Sequence, residues 1–301
     1  MPAAKAVGPY AIESIVARGA TSVVYLARDT RSGERVALKT FALGSEHGAE
    51  AQAGAIAEAR ARFLREADAA RRLRHPAIAA LLDAGEAAGV AYLAIEPLAG
   101  CDLSRHTSEA QRLPAAQVAR IAAQVADALA YAHRQGVVHR DVKAANVIYD
   151  AATDRAWVTD FGIARVADAS HTRTGVLLGT PQCMAPELLA GRRADARSDL
   201  YALGVLLFEL LCSRPPFTAA ALGALIRQVA NDTPPPLLQL RPELPSALGA
   251  LVAALLAKDP ALRPQDGAAV ARELRAIAAL IDADARAATG EVRPPAGADP
   301  R

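Results

Sequence analysis

Three short polar signatures follow one another in the middle of the chain. The first is His139-Arg140-Asp141 with Asn146 five residues further on, the second is Asp160-Phe161-Gly162, and the third is Ala185-Pro186-Glu187. A single triplet of this kind recurs by chance, because an isolated loop aspartate or asparagine is usually a turn or capping residue. Three signatures in this order and at these spacings are far more specific.

This set of motifs resembles the protein kinase family, and most closely the bacterial Ser/Thr kinases of eukaryotic (Hanks) type. The resemblance covers residues 10–281 and implies an α+β, two-lobed fold. A small β-rich lobe with one main helix (10–95) would be joined by a hinge (96–102) to a larger, mostly α-helical lobe (103–281). Residues 1–9 are expected to be a leader, and residues 282–301, which lack periodicity, a flexible tail.

The implied activity is transfer of the γ-phosphoryl group of ATP to Ser and Thr hydroxyls of proteins, in a signalling role. Such transfer needs positioning and charge neutralisation. Asp160 and Asn146 offer the oxygen ligands that Mg²⁺ prefers, with Mn²⁺ as an alternative ion. Asp141 would accept the proton of the substrate hydroxyl, and Lys143 would neutralise the γ-phosphate. Lys39 would contact the α- and β-phosphates.

The resemblance also implies a nucleotide pocket between the two lobes. Its expected residues are Val16, Gly19, Val24, Ala37, Lys39, Glu66, Ile95, Glu96, Leu98, Asp102 and Ile148. Val24 and Ala37 would lie above the adenine and Ile148 below it, and an apolar cleft of this kind suits a nucleotide. Backbone groups of Glu96 and Leu98 would pair with the adenine edge.

One of these pocket assignments departs from the family's pattern, and two leave alternatives open. Of the three glycines in the family's phosphate-binding loop, only the middle one is present, as Gly19, so the loop is expected to be stiffer. Asp102 could meet the ribose or cap the following helix, and capping is favoured. Glu66, on a helix predicted over residues 55–73, would form an ion pair with Lys39. Glu58 lies too early for that role, and a surface pair with Arg62 or Arg65 is the competing interpretation.

Further residues have structural roles implied by the resemblance. Asp199, inside the very apolar helix predicted for Asp195–Cys212, would hold the backbone of the catalytic loop. Glu187 would form a buried ion pair with Arg263. Thr180 would belong to the substrate-facing loop and contact Asp141 and Lys143.

Arg140, directly before Asp141, implies regulation by phosphorylation of the segment between the second and third signatures. In the resembling family, an arginine at this place marks kinases that are switched in this way. Thr172 and Thr174 are the predicted sites of autophosphorylation. A phosphate there adds roughly −1.5 to −2 charge, which Arg140 and Arg165 could neutralise.

Composition limits the other classes of protein. A formal net charge of +2 is too balanced for nucleic acid as the partner. Three scattered cysteines predict neither a disulfide framework nor a metal site, which suits a reducing cytoplasm. The sequence has no apolar run long enough to span a membrane. The expected partners are protein substrates, a metal-dependent Ser/Thr phosphatase and phosphothreonine-binding proteins.

Two rival functions share the two-lobe plan. A catalytically inactive kinase-like scaffold is favoured slightly by the altered glycine loop, but Lys39, Asp141, Asn146 and Asp160 argue against it. A small-molecule kinase of the aminoglycoside or choline type generally lacks the Ala185-Pro186-Glu187 element and a long segment before it, and both are present here.

Overall fold

The computed structural model describes residues 6–19, 22–42, 51–87, 89–161 and 181–289. The described chain forms the expected two lobes. A six-stranded antiparallel sheet with one long helix makes the small lobe, and a bundle of helices with a small second sheet makes the large one.

Six strands build the sheet of the small lobe in the order β1-β2-β3-β4-β6-β5. Their bounds are β1 Ala6–Val7, β2 Tyr10–Arg18, β3 Ser22–Asp29, β4 Arg35–Ala42, β5 Leu81–Ala87 and β6 Val90–Ile95. Gly33 and Gly89 lie in the turns β3–β4 and β5–β6 with φ of 78° and 76°, a conformation that glycine adopts without steric cost.

The expected leader contributes the first of these strands. Ala6 and Val7 pair with Ala11 and Tyr10 of β2, and Val7 is buried. The predicted small lobe, which starts at residue 10, therefore lacks one edge strand that the leader supplies. A two-residue strand is too brief to show the alternation by which strands are recognised in a sequence.

Strand register gives this sheet two different faces. Val24 lies opposite Lys39, and Ala37 lies opposite both Leu26 and Ile95, so these side chains share one face. The other face carries a separate apolar cluster that includes Tyr10, Ala27, Val36, Leu38, Tyr92 and Ala94. The first face is the one that carries the predicted nucleotide residues.

Helix α1, Ala51–Arg71, packs against β5. Phe63, Ala67 and Ala70 recur at helical spacing and are buried, whereas Leu64 is exposed. This stripe holds α1 against the sheet and brings Glu66 to the side that meets the large lobe.

The large lobe is built on alanine- and leucine-rich helices. Their bounds are α2 Ala115–Arg134, α3 Pro186–Leu189, α4 Ala196–Cys212, α5 Leu222–Asn231, α6 Leu237–Leu240, α7 Ser246–Leu255 and α8 Gly267–Thr289. Strands β7 Cys101–Asp102, β8 Val147–Asp150 and β9 Arg155–Val158 form the second sheet. Among the described residues, no helix combines the length and the apolar character that crossing a bilayer requires.

Helix α4 lies at the centre of this lobe. Thirteen of its residues are buried, which leaves Asp199 surrounded by protein rather than by water. Asp195 begins the helix with a capping box, since its side chain accepts from Arg197 N at 2.8 Å and Ser198 Oγ accepts from Asp195 N.

Helix α8 continues beyond the predicted domain end at residue 281. It runs to Thr289, and Asp282 accepts a hydrogen bond from Arg120 Nη1 of α2 at 2.8 Å. The expectation of a tail from residue 282 was therefore wrong for residues 282–289. Residues 290–301 lie outside the described part of the chain.

Candidate active site

Asp199 of α4 holds the loop that carries the first signature. Its Oδ2 accepts from His139 N at 2.8 Å and its Oδ1 from Arg140 N at 2.7 Å. The Nε2 of His133, near the end of α2, lies 2.8 Å from the same Oδ2. A buried carboxylate needs such compensation, because an unpaired charge inside a protein is costly. These backbone contacts are the ones expected of Asp199 from the sequence.

His139 connects the catalytic loop to the second signature. Its Nε2 donates to the carbonyl of Thr159 at 2.8 Å, which leaves Nδ1 as the acceptor of the bond from Asp141 N at 3.2 Å. Its ring also packs against Phe161 with 4.6 Å between ring centroids. The imidazole is fully buried and is therefore a structural link between the two motifs.

Asp141, Lys143 and Asn146 form one polar cluster. Lys143 Nζ lies 2.7 Å from Asp141 Oδ2, and Asn146 Nδ2 donates to the same oxygen at 2.9 Å and to the Asp141 carbonyl at 2.7 Å. Among the described residues nothing bonds to Asp141 Oδ1. Within the described part of the chain, this oxygen is therefore available to accept the proton of a hydroxyl.

Lys39 and Asp160 join the two lobes. Lys39 Nζ lies 2.6 Å from Asp160 Oδ2, and both side chains are largely buried. Asp160 has a φ of 62°, a conformation that costs a non-glycine residue free energy and that is common at functional sites. The structure thus brings together two residues that the sequence separates by 121 positions.

The predicted ion pair between Lys39 and Glu66 is not formed. Lys39 is bonded to Asp160 instead, and Glu66 Oε1 accepts from Arg140 Nη1 at 2.9 Å. The other carboxylate oxygen of Glu66 is buried without a partner in the described chain. The side chain of Arg62 lies outside the described part of the chain. Helix α1 directs Glu66 towards the catalytic loop.

Two hydrogen bonds hold the hinge to Ala80, whereas the backbone groups expected to meet the adenine have no partner in the described chain. Glu96 N donates to the Ala80 carbonyl at 3.0 Å, and Glu96 Oε1 accepts from Ala80 N at 2.8 Å. Within the described chain, neither the Glu96 carbonyl nor Leu98 N is engaged in a hydrogen bond. A donor and an acceptor are therefore available where the adenine edge is expected. A cavity of about 20 Å³ lies behind Ile95.

Asp102 caps the short 3₁₀ helix Leu103–His106 by accepting from Ser104 N at 3.0 Å. The favoured interpretation of this residue is confirmed. Asp102 also lies opposite Ile148 in the β7–β8 pair, so both residues occupy one face of the second sheet. Ile148 remains the predicted floor of the adenine pocket, beneath Val24 and Ala37.

The phosphate-binding loop is only partly described. Gly19 N donates to the Ser22 carbonyl at 2.8 Å, and Val16, at an irregularity in β2, is 64% exposed. Residues 20–21 lie outside the described chain. So do Gly162, Thr172, Thr174 and Thr180 of the predicted activation segment and substrate loop.

Glu187 and Arg263 form the buried ion pair expected from the sequence. Two parallel bonds of 2.8 Å join the guanidinium to the carboxylate, and Ser198 Oγ donates to Glu187 at 3.0 Å. Burial alone would raise the pKa of Glu187, but the bonds from Arg263 and Ser198 outweigh it and lower that pKa. The ion pair joins α3 to the segment between α7 and α8.

The donor set fits a hard divalent cation at Asp160 and Asn146. Asp160 Oδ1 is buried and has no hydrogen-bond partner among the described residues, so one carboxylate oxygen is left unsatisfied where a cation could compensate it. Asn146 is buried, and its amide nitrogen is the atom bonded to Asp141, which leaves its carbonyl oxygen as a second donor. The described chain contains no cluster of three or more His, Cys, Asp or Glu residues able to hold a metal by themselves.

Two supporting residues were missed by the sequence analysis. His133 contacts Asp199. The sequence feature that could have indicated it is a histidine on the apolar face of a helix, six residues before His139. Ala80 binds Glu96 through its backbone alone, and the type of a residue does not indicate which hydrogen bonds its backbone forms.

The whole constellation defines a phosphotransferase class. The family model "Protein kinase domain" matches residues 10–274, and the chain therefore belongs to the protein kinase family. It is 40% identical over 261 residues to the serine/threonine-protein kinase PknJ of Mycobacterium tuberculosis. The aligned residues cover 84% of this chain and 43% of PknJ. It is 36% identical over 280 residues to the serine/threonine-protein kinase pkn3 of Myxococcus xanthus, covering 89% of this chain and 50% of pkn3. The chain thus spans half the length of these relatives or less.

Solved structures show the same fold. The PknI kinase domain of Mycobacterium tuberculosis, as its C20A mutant, superposes with a TM-score of 0.71 at 31% identity and covers 92% of this chain and 100% of that one. A structure of Rad53 in complex with AMP-PNP gives the same TM-score at 21% identity, covering 88% of this chain and 64% of that one, and supports the fold alone.

Proposed function

We propose that this chain transfers the γ-phosphoryl group of ATP to Ser and Thr hydroxyls of proteins. The observation that carries the proposal is the cluster of Asp141, Lys143 and Asn146 beside the Lys39–Asp160 pair that bridges the lobes. The two groups are linked because the Asn146 main-chain carbonyl accepts at 2.9 Å from N of Thr159, the residue before Asp160. Base, phosphate-neutralising cation and oxygen donors for a metal are then within one site. Phosphoryl transfer requires this combination.

Each residue has a distinct part in the proposed reaction. Asp141 Oδ1 orients the attacking hydroxyl and receives its proton, while Asn146 and Lys143 fix the carboxylate through Oδ2. Lys143 and Lys39 offset the negative charge on the phosphates. Asp160 and Asn146 would hold Mg²⁺ or Mn²⁺, which would supply positive charge to offset the negative charge of the phosphates.

Protein substrates, rather than small molecules, are supported by the presence of the third signature. Glu187 of that signature is tied to Arg263 and to Ser198, so the element that follows the substrate loop is anchored in the core. A metal-dependent phosphatase and phosphothreonine-binding proteins are the proposed partners in regulation. The three cysteines are free thiols, which suits the proposed cytoplasmic location.

Transfer of labelled phosphate from ATP tests the proposal and separates it from its rivals. We expect the wild type with Mg²⁺ to label itself and a generic basic protein, and Asp141→Asn to lower turnover by about 10²–10⁴-fold. Asp154→Asn, on the β8–β9 turn, is the matched control with unchanged turnover. Nucleotide binding without any transfer would instead identify a scaffold. Transfer only to aminoglycosides or choline would identify a small-molecule kinase.

A further inference from the structure

A cysteine and a histidine meet on the large-lobe side of the hinge. Cys101 Sγ lies 3.9 Å from His106 Nε2, and His106 Nδ1 lies 2.9 Å from the Gln111 carbonyl. Both side chains are half-buried, so reagents in solution can reach them. Neither residue has a role in the reaction described above.

The contact between His106 and Gln111 fixes the direction of the hydrogen bond between Cys101 and His106. A carbonyl oxygen can only accept, so Nδ1 of His106 must carry a proton and donate it to Gln111. In the neutral imidazole, Nε2 then has a free lone pair directed at the thiol. The thiol donates and the imidazole accepts, in the order nucleophile, base and orienting group that activates cysteine in general.

Strand pairing places this dyad beside the nucleotide pocket but on the opposite face. Cys101 lies opposite Tyr149 and Asp102 opposite Ile148, and neighbouring residues of a strand point to opposite faces. The His106 ring also meets the Tyr149 ring edge-on at 6.3 Å. The thiol therefore belongs to the packing that supports the pocket floor.

The other two cysteines are in less reactive surroundings. Burial, together with the charges of Glu209 and Asp141, raises the pKa of Cys183 to about 12. Burial also raises the pKa of Cys212. Both thiols thus stay protonated at neutral pH, and the thiolate is the reactive form.

We propose that Cys101 is a site of covalent thiol modification, with His106 as its base and low-molecular-weight disulfides such as oxidised glutathione as reagents. The sulfur of Cys101 attacks one sulfur of the disulfide, and its proton passes to His106 Nε2. A new S–S bond forms, the old one breaks, and the second half leaves as a thiolate that takes up a proton. No further oxidant is consumed.

The adduct also has an expected effect on nucleotide binding, and this part rests on the proposed function. Gly100 crosses β8 so closely that a Cβ there would lie 2.1 Å from the Tyr149 carbonyl oxygen, so the chain beside Cys101 cannot move closer to β8 to make room. The added group must displace His106 and disturb β7 against β8. We expect the KM for ATP to rise several-fold in the modified protein.

Site-resolved mass spectrometry of the intact chain with oxidised glutathione at pH 7 tests the modification itself. We expect Cys101 to react at least about tenfold faster than Cys183 and Cys212, and His106→Asn to lower its rate by about tenfold. Arg105→Gln, which removes the neighbouring charge but leaves the imidazole, is expected to change the rate by less than about twofold. Cys101→Ser should abolish the fast phase.

Two further measurements keep the outcome interpretable. If His106→Asn unfolds more easily, added imidazole should restore fast labelling only if the missing base was the cause. Asp141→Asn should label at the wild-type rate, so a failure of the proposed kinase activity leaves this result unchanged. Equal rates at the three cysteines, or wild-type labelling in a folded His106→Asn protein, would overturn the proposal.

Discussion

Glu66 of helix α1 is bonded to Arg140 of the catalytic loop at 2.9 Å, while Lys39 is bonded to Asp160 at 2.6 Å. One anion and one cation of the small lobe have thus each found a partner in the large lobe. Glu66 and Lys39 can pair only if both of these contacts open. Arg140 is also the residue expected to hold a phosphorylated threonine, so a phosphate and Glu66 would compete for one guanidinium.

Arg140→Gln should therefore have opposite effects in two backgrounds. In the Thr172→Ala/Thr174→Ala protein, which has no phosphate to bind, it releases Glu66 and should raise basal turnover by about two- to fivefold, the range expected for a partly exposed ion pair of up to about 1 kcal/mol. In the wild type it should reduce the gain that follows incubation with Mg·ATP. Initial rates of peptide phosphorylation in both backgrounds provide the measurement.

Arg60→Gln is the matched control for this prediction. It removes another ion pair of α1, to Glu86 at 2.8 Å, but none to the catalytic loop. Equal effects of Arg140→Gln and Arg60→Gln would contradict a competition between Glu66 and the phosphate for Arg140. A loss of basal turnover on Arg140→Gln in the Thr172→Ala/Thr174→Ala protein would also contradict it.

Asp160→Ala should remove the dependence of ATP binding on Mg²⁺, because it deletes the unsatisfied oxygen proposed as a metal ligand. Lys39→Met should lower transfer with a smaller loss of nucleotide affinity. Titration calorimetry with and without Mg²⁺ measures both, and the control is Asp150→Asn, which changes a carboxylate at the end of β8. Normal Mg·ATP binding by Asp160→Ala would place the metal elsewhere.

Incubation with Mg·ATP should phosphorylate the segment before Thr180, with Thr174 slightly preferred over Thr172. One to three charge-assisted bonds from Arg140 and Arg165 to the phosphate, at about 1.5–3 kcal/mol each, could then order the segment. Peptide mapping by mass spectrometry detects the modification. An unmodified segment in active enzyme, or full activity of the Thr172→Ala/Thr174→Ala protein, refutes the prediction.

Removing one partner of the Glu187–Arg263 pair should destabilise the protein by about 3–5 kcal/mol, because it leaves an uncompensated buried charge. Arg263→Met should cost more than Glu187→Gln. The guanidinium also donates to the carbonyls of Ala257, Arg197 and Lys258, which would lose their donor. Urea unfolding measures both, and Arg197→Met, which breaks an exposed pair with Asp195, should cost about 1 kcal/mol or less.

The same pair predicts a dependence on pH. The pKa of Glu187 is lower in the folded protein than its ordinary value of 4.5, so its contribution is complete above that value and is lost as the pH falls through the folded pKa. The difference in free energy of unfolding between wild type and Glu187→Gln should therefore shrink as the pH is lowered below about 4.5. A difference that stays constant down to pH 3 would contradict the assignment.

Residues whose partners are local or fixed by a motif were predictable from the sequence. Asp102 caps the helix that begins at the next residue, and Asp199 and the Glu187–Arg263 pair are where the motifs put them. The partner of Glu66 was not predictable. Lys39 and Arg140 are both cations, and the choice between them depends on the position of α1 relative to the large lobe, which no spacing in the chain encodes.

Contacts between distant segments were missed for the same reason. Arg120 and Asp282 are 162 residues apart, and nothing in the composition of residues 282–289 distinguishes a docked helix from a tail. Only the pairing with α2 decides between the two. The core depends less on such contacts, because aromatic residues are few and the buried residues of α2 and α4 are mainly alanine, leucine and valine.

The carboxylate of Asp199 gives the catalytic loop an unusual dependence on distant packing. Two main-chain amides of that loop and the imidazole of His133 converge on a side chain whose helix has no expected contact with nucleotide or peptide. Gly204, on the same helix, leaves so little space that a Cβ there would come within 2.7 Å of Leu255. The shape of the catalytic loop thus depends on a closely packed part of the core, and mutations that accumulate in that core would first appear as slower turnover in a protein that is still folded.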